Sequence, residues 1–197
     1  LVIFGARMGR TGKADAGVWD FEGRGSDAII VENPRDGPEA WRWHAHELFG
    51  SDGGKAGRRR AWGAAVANEG DTTFIFGIDA ADVWHNKLLV ARCPTGSIAL
   101  RDAWRFRTAG GAWSTMPEDA SAVCDDMADE FSITRINDSY VMVHMEANLG
   151  KRVMVRRATA IDGAWSEARA VYTAPEVSID SRIMVYGAKA HPEVSGE

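Results

Sequence analysis

The chain has 197 residues, about one domain's worth with enough apolar content to bury a core. Its 28 acidic against 23 basic side chains leave a formal charge of -5, so no large positive field exists to hold a polyanion such as nucleic acid. No apolar run approaches the roughly 20 residues of a helical membrane span, and Cys93 and Cys124 form neither a CxxC pair nor a Cys/His cluster that would hold structural zinc.

The chain opens on LVIFG without an initiator Met or a leader and stops at HPEVSGE, and both ends read as cuts inside a larger fold. LVIF (1–4) is followed by DAIIV (27–31), TTFIF (72–76) by KLLVAR (87–92), and YVMVH (140–144) by RVMVRR (152–157). All six are short and rich in β-branched or aromatic residues, and each pair is separated by a polar connection. NEGD precedes TTFIF as IND precedes SYVMVH, and Gly-Ala-Trp-Ser recurs downstream at 111–114 and 163–166. The units repeat at roughly 70 residues, a spacing that suits four-stranded blades with long loops.

No window sustains a helical period, so the expected class is all-β and the expected architecture a propeller. The candidate innermost strands are WGAAVAN (62–68), EFSITRIN (130–137) and YGAKAHPEVS (186–195). One domain would hold about three blades, in pieces of about 1–61, 62–129 and 130–185, with the next starting at 186. Inner strands surround a common axis, so Trp62, Glu130 with Phe131, and His191 are expected at equivalent levels around one mouth.

NPRDGPEAWRW (33–43), WGAAV, FIFG, LLVAR, DEFSITR and YGAKAHPEVS together resemble the five-bladed propellers of domain-of-unknown-function group 4185. That group is related to glycoside hydrolase family 183, the endo-D-arabinanases, and more loosely resembles the five-bladed furanosidase clans. The resemblance covers essentially the whole chain, and its most specific pieces are NPxDxPxxW and AKAHPE. It implies a five-bladed β-propeller, an extracellular location, and hydrolysis of furanosyl, arabinan-type linkages in a polysaccharide or oligosaccharide. It also implies a first blade ahead of Leu1 that supplies a catalytic Asp. The alternative is a non-catalytic carbohydrate-binding or interaction propeller, because one fold hosts many functions.

Glycoside hydrolysis needs a proton donor and a second group that attacks or activates water. Glu130 suits the donor, with Phe131 and the catalytic candidate Asp129 beside it; the plain alternative is a solvated loop end. Asp125 and Asp126 fall in a connecting loop. The acids match no calcium loop, and no metal or cofactor is expected. His191 is the rival acid, as in some related propeller enzymes, or else a structural histidine bonded to a neighbouring blade. Lys189 alternates with His191 and faces the same side, and Tyr186 in the same stretch is a further substrate contact. Arg7 and Arg10 in GARMGRTG either reach a sugar hydroxyl or acidic substituent or sit on a surface hairpin. Trp62 either stacks on a sugar ring or is buried, while Trp104, Trp113 and Trp165 are expected to pack between blades. The basic run of Lys55, Arg58, Arg59 and Arg60 reads as a solvated turn.

Overall fold

The computed structural model describes residues 1–13, 17, 20–50, 59–80, 86–180 and 182–194. The fold is all-β, with three antiparallel sheets and one four-residue helix, α1 (Glu176–Ile179), among the described residues. The first sheet runs β1 (Val2–Gly9), β2 (Glu22–Val31), β3 (Trp43–Gly50). The second runs β4 (Arg59–Glu69), β5 (Thr72–Ala80), β6 (Asn86–Pro94), β7 (Arg105–Arg107), β8 (Trp113–Ser114), and β9 (Cys124–Met127) adds to β6. The third runs β10 (Phe131–Ile136), β11 (Ser139–Met145), β12 (Arg152–Ala158), β13 (Arg169–Thr173). Among the described residues no helix is long and apolar enough to cross a membrane.

The second sheet lies between the other two. Successive side chains of a strand point to opposite faces, and here both faces are covered. Phe74, Phe76, Ile78, Leu88 and Val90 pack with Phe131, Ile133, Met142 and Trp165 of the third sheet and its connections. Ile75, Leu89 and Ala91 pack with Ala28, Leu48, Trp62, Trp104 and Phe106 on the other side. Two-sided burial is why TTFIFGI and KLLVA are almost unbroken apolar runs. The recurrent Trp residues serve this packing: Trp104 is fully buried, Trp165 is buried, and Trp113 stacks edge-on with Phe74 under the Arg92 guanidinium.

The β4–β5 and β10–β11 hairpins both turn through two-residue loops whose first residue has positive φ, Gly70 at 57° and Asn137 at 53°. Glycine and asparagine tolerate that conformation best, which explains why NEGD and IND precede matching strands. Of the six hairpin segments predicted from the sequence, five lie within β2, β5, β6, β11 and β12 and LVIF lies within β1 except for Leu1, while two of the three predicted inner strands lie within β4 and around β10.

Four expectations are corrected. YGAKAHPEVS forms no strand among its described residues; it is irregular, with a 3-10 turn at Pro192–Val194, and follows β10 in the same direction. Asp125 and Asp126 belong to β9 rather than to a loop, because the edge of β6 offers free backbone groups there. Trp62 faces the core between the first two sheets at 4% exposure, so it offers no platform to a ligand. A bulge between Trp62 and Ala65 sets this phase, with Gly63 at φ 93° pressed against the Phe4 ring. Arg60 is no solvated turn residue either: it bonds buried Asp79 at 3.2 Å and the carbonyls of Pro117 and Ala120. Lys55 and Arg58 lie outside the described residues.

Candidate functional site

The β11–β12 connection emerges at the end of the third sheet where β10 begins, as the pairs Met145↔Val153 and Phe131↔His144 require, and Asn86 at the start of β6 and Phe21 just before β2 reach the same place. A cleft of about 470 Å³ opens at this end. Phe21 reaches it from the β1–β2 connection, Ala128 to Glu130 from just before β10, Asn148 and Leu149 from the β11–β12 connection, and Met184, Tyr186 and Gly187 from the irregular C-terminal segment. Residues far apart in sequence meet here.

Glu130 is exposed in this cleft and has no hydrogen bond or ion pair among the described residues. Phe131 does not lie against it. Alternation along β10 sends Phe131 into the core, edge-on to Phe76, and leaves Glu130 and Ser132 on the opposite side. The wall beside Glu130 is instead Gly187, at φ 72°, where a side chain would collide with the carboxylate. Ser132 Oγ accepts the backbone N–H of Ala190 at 2.7 Å, which ties the C-terminal segment to the outward face of β10.

Asp129 is anchored where Glu130 is open. Fully buried Asn86 donates Nδ2 to Asp129 Oδ1 at 3.1 Å and to Asn148 Oδ1 at 3.2 Å. Asn148 also accepts the Asp129 backbone N–H at 2.5 Å and donates to Asp129 Oδ2 at 3.4 Å. This knot ties the second sheet, the start of β10 and the β11–β12 turn together, and it fixes the direction in which Glu130 leaves the backbone.

The other candidates are dispersed. Tyr186, 69% exposed, lines the cleft, and Phe21, 46% exposed, faces it from another sheet. Lys189 and His191 are exposed and stand outside the lining; the His191 carbonyl accepts the Val194 N–H at 3.1 Å. Arg7 is held by Asp27 at 2.8 Å and Glu47 at 3.0 Å on the face of the first sheet turned away from the core. Arg10 lies 3.6 Å from Asp20 and is largely exposed. Neither arginine lines the cleft. Among the described residues no three His, Cys, Asp or Glu side chains converge as a metal-holding group.

Sequence reasoning missed Phe21, Asn86 and Asn148. Their signal was indirect: each sits at or in the connection after the first strand of a repeated pair, and aligned pairs imply that those connections meet.

Residues 4–197 match the family described as Domain of unknown function (DUF5005). The chain belongs to DUF5005. Its residues resembled the 4185 group, but the family shown is DUF5005, and these matches show neither that group nor glycoside hydrolase family 183. No curated protein matches this DUF5005 chain. It shares its fold with a crystal structure from Bacteroides ovatus ATCC 8483 described as a "putative hydrolase", at a TM-score of 0.54 and 17% identity. The match covers 87% of this chain and 49% of that one, so the DUF5005 chain spans about half the length of that protein.

Proposed function

We propose that this chain is part of a five-bladed β-propeller glycoside hydrolase acting on furanosyl, arabinan-type linkages, with Glu130 as proton donor. The observation that carries the reading is an unbonded carboxylate in a largely apolar cleft, flanked by the exposed rings of Tyr186 and Phe21 and bordered by connections from three sheets. Aromatic rings beside a carboxylate suit a sugar ring, whose C–H face packs on them while the acid reaches the glycosidic oxygen. Three antiparallel sheets packed through shared cores support the propeller reading. The fold shared with the Bacteroides ovatus protein supports a hydrolase further.

Asp129 serves in this reading as a positioning residue, since its carboxylate is engaged by Asn86 and Asn148. Hydrolysis requires a second group to attack or to activate water. His191, beside the segment that walls the cleft, is the rival acid. A second reading is a carbohydrate-binding propeller without catalysis, favoured by the fact that Glu130 is the one unanchored carboxylate lining the cleft among the described residues.

The test is a reducing-sugar assay of the full-length protein on arabinan and arabinogalactan, with Glu130→Gln and His191→Ala alongside. A loss of about 100-fold or more in Glu130→Gln supports the acid role. Full activity in that variant sinks it, and no activity on any glycan with retained binding turns the reading to the binding module.

A further inference from the structure

The C-terminal segment lines the cleft with little to hold it there. Met184 and Tyr186 are both well exposed, and residues 184–190 form no strand. A stretch with few buried side chains and no backbone ladder has little local stability of its own. Its place on the wall has to be set by specific contacts.

Two such contacts are present. Half-buried Ser132 accepts the Ala190 N–H through Oγ at 2.7 Å, and this is the one hydrogen bond between residues 184–190 and a sheet among the described residues. Gly187 makes the other contact with bare backbone, since a Cβ at that residue would stand 2.5 Å from Glu130 Oε2. Glu130 and Ser132 are two residues apart and stand on one face, so the two contacts follow one another along the same side of the strand.

Together they define a register. With Ala190 on Ser132, a glycine passes the carboxylate, and Tyr186 next to that glycine lines the cleft. A slip by one residue either way would bring Tyr186 or Ala188 past Glu130, and each carries a Cβ that would press on the carboxylate. Steric exclusion alone would still let the segment lift away. The hydroxyl supplies the attraction that keeps it down.

We propose that Ser132 is a positioning residue of the cleft: its hydroxyl fixes the register of the C-terminal segment on β10 and so holds Tyr186 on the wall as a sugar contact. Ser132 itself stands outside the lining and acts through Tyr186. The inference rests on reading the cleft as a glycan site.

The test compares full-length wild type, Ser132→Ala and Ser132→Thr, each with fluorotyrosine in place of tyrosine; the Thr variant keeps the hydroxyl. In Ser132→Ala the fluorine resonance of Tyr186 is expected to move while those of Tyr140 and Tyr172 stay, which shows the sheets intact. KM for neutral arabino-oligosaccharides, or Kd if the protein binds without hydrolysis, is expected to rise about tenfold, with any kcat within about twofold of wild type. Ser132→Thr should restore both readouts. An unmoved Tyr186 resonance in Ser132→Ala overturns the proposal, as does an unchanged KM or Kd, and so does a Thr variant as impaired as the Ala variant. If the wild type neither binds nor cleaves any glycan, the cleft reading fails and the sugar role of Ser132 falls with it, while the Tyr186 resonance still decides whether the hydroxyl sets the register.

Discussion

Glu130 and Gly187 meet carboxylate to bare backbone: a Cβ at residue 187 would stand 2.5 Å from Glu130 Oε2. The glycine is also held at φ 72°, a region that L side chains enter at a cost of about 1–2 kcal/mol. Gly187→Ala therefore combines modest strain with displacement of Glu130, the one exposed acid lining the cleft among the described residues. The expected result is a stability loss of about 1–2 kcal/mol in urea unfolding and a fall in turnover of about 100-fold, the scale that misplacement of a reacting group produces. A turnover that tracks the unfolded fraction alone would argue against Glu130 as the acid.

The Asn86 amide links Asp129 and Asn148 from a fully buried position. Asn86→Leu keeps the volume but removes both donors, so Asp129 Oδ1 and Asn148 Oδ1 each lose one hydrogen bond. The cost expected from such a loss is about 1–3 kcal/mol by chemical denaturation. Asn148→Ala acts at the rim of the same knot, so the double variant should be less than additive, because both substitutions break the Asn86–Asn148 bond. Strict additivity would show that the knot does not behave as a unit.

Burial pushes both thiols up to about 11. For Cys124 the neighbouring Asp125 and Asp126 add to the effect and Arg156 opposes it. At pH 8 about one thiol in a thousand is then the reactive thiolate. Iodoacetamide should label half-buried Cys124 slowly, with a rate that rises about tenfold per pH unit toward pH 11. Cys93, in the core between the first two sheets, should react only in denaturant. Rapid labelling of either at neutral pH in the native state would contradict this burial.

The hairpins were legible because burial on both faces writes itself into sequence as runs such as TTFIF and LLVA, and because Gly70 and Asn137 mark turns that few residues can make. What was illegible depended on partners. YGAKAHPEVS has the alternation of a strand, yet strand formation needs a ladder, and the described contacts along β10 are a glycine approach at Glu130 and one side-chain bond from Ser132. Trp62 was placed by aligning inner strands, but the bulge that follows it changes which face its neighbours occupy, and a one-residue phase change turns a cleft aromatic into a core one. Glu130 and Tyr186 were reachable from the repeat pattern; Phe21 lies in a connection without periodicity, where only the closed fold reveals its direction.

His144 makes the fold sensitive to acid. Burial, foremost, and the Arg156 charge hold its imidazole below the ordinary value of 6.5, with the Met145 carbonyl and Asp126 opposing them in part. Below about pH 6.5 the unfolded chain binds a proton that the folded chain refuses, so unfolding becomes easier as pH falls toward the folded value; above 6.5 neither state gains a proton here and the effect vanishes. The carboxylates held low by partners, Glu146 by Arg152 and Asp180 by Arg182, give up their contribution only as pH falls below the carboxylate range. The window between about pH 6.5 and 5 therefore isolates the histidine. Stability there should fall by up to about 1.4 kcal/mol per pH unit in the wild type, and His144→Leu should flatten the curve over the same interval. An unchanged slope in that variant would place the acid sensitivity elsewhere in the chain.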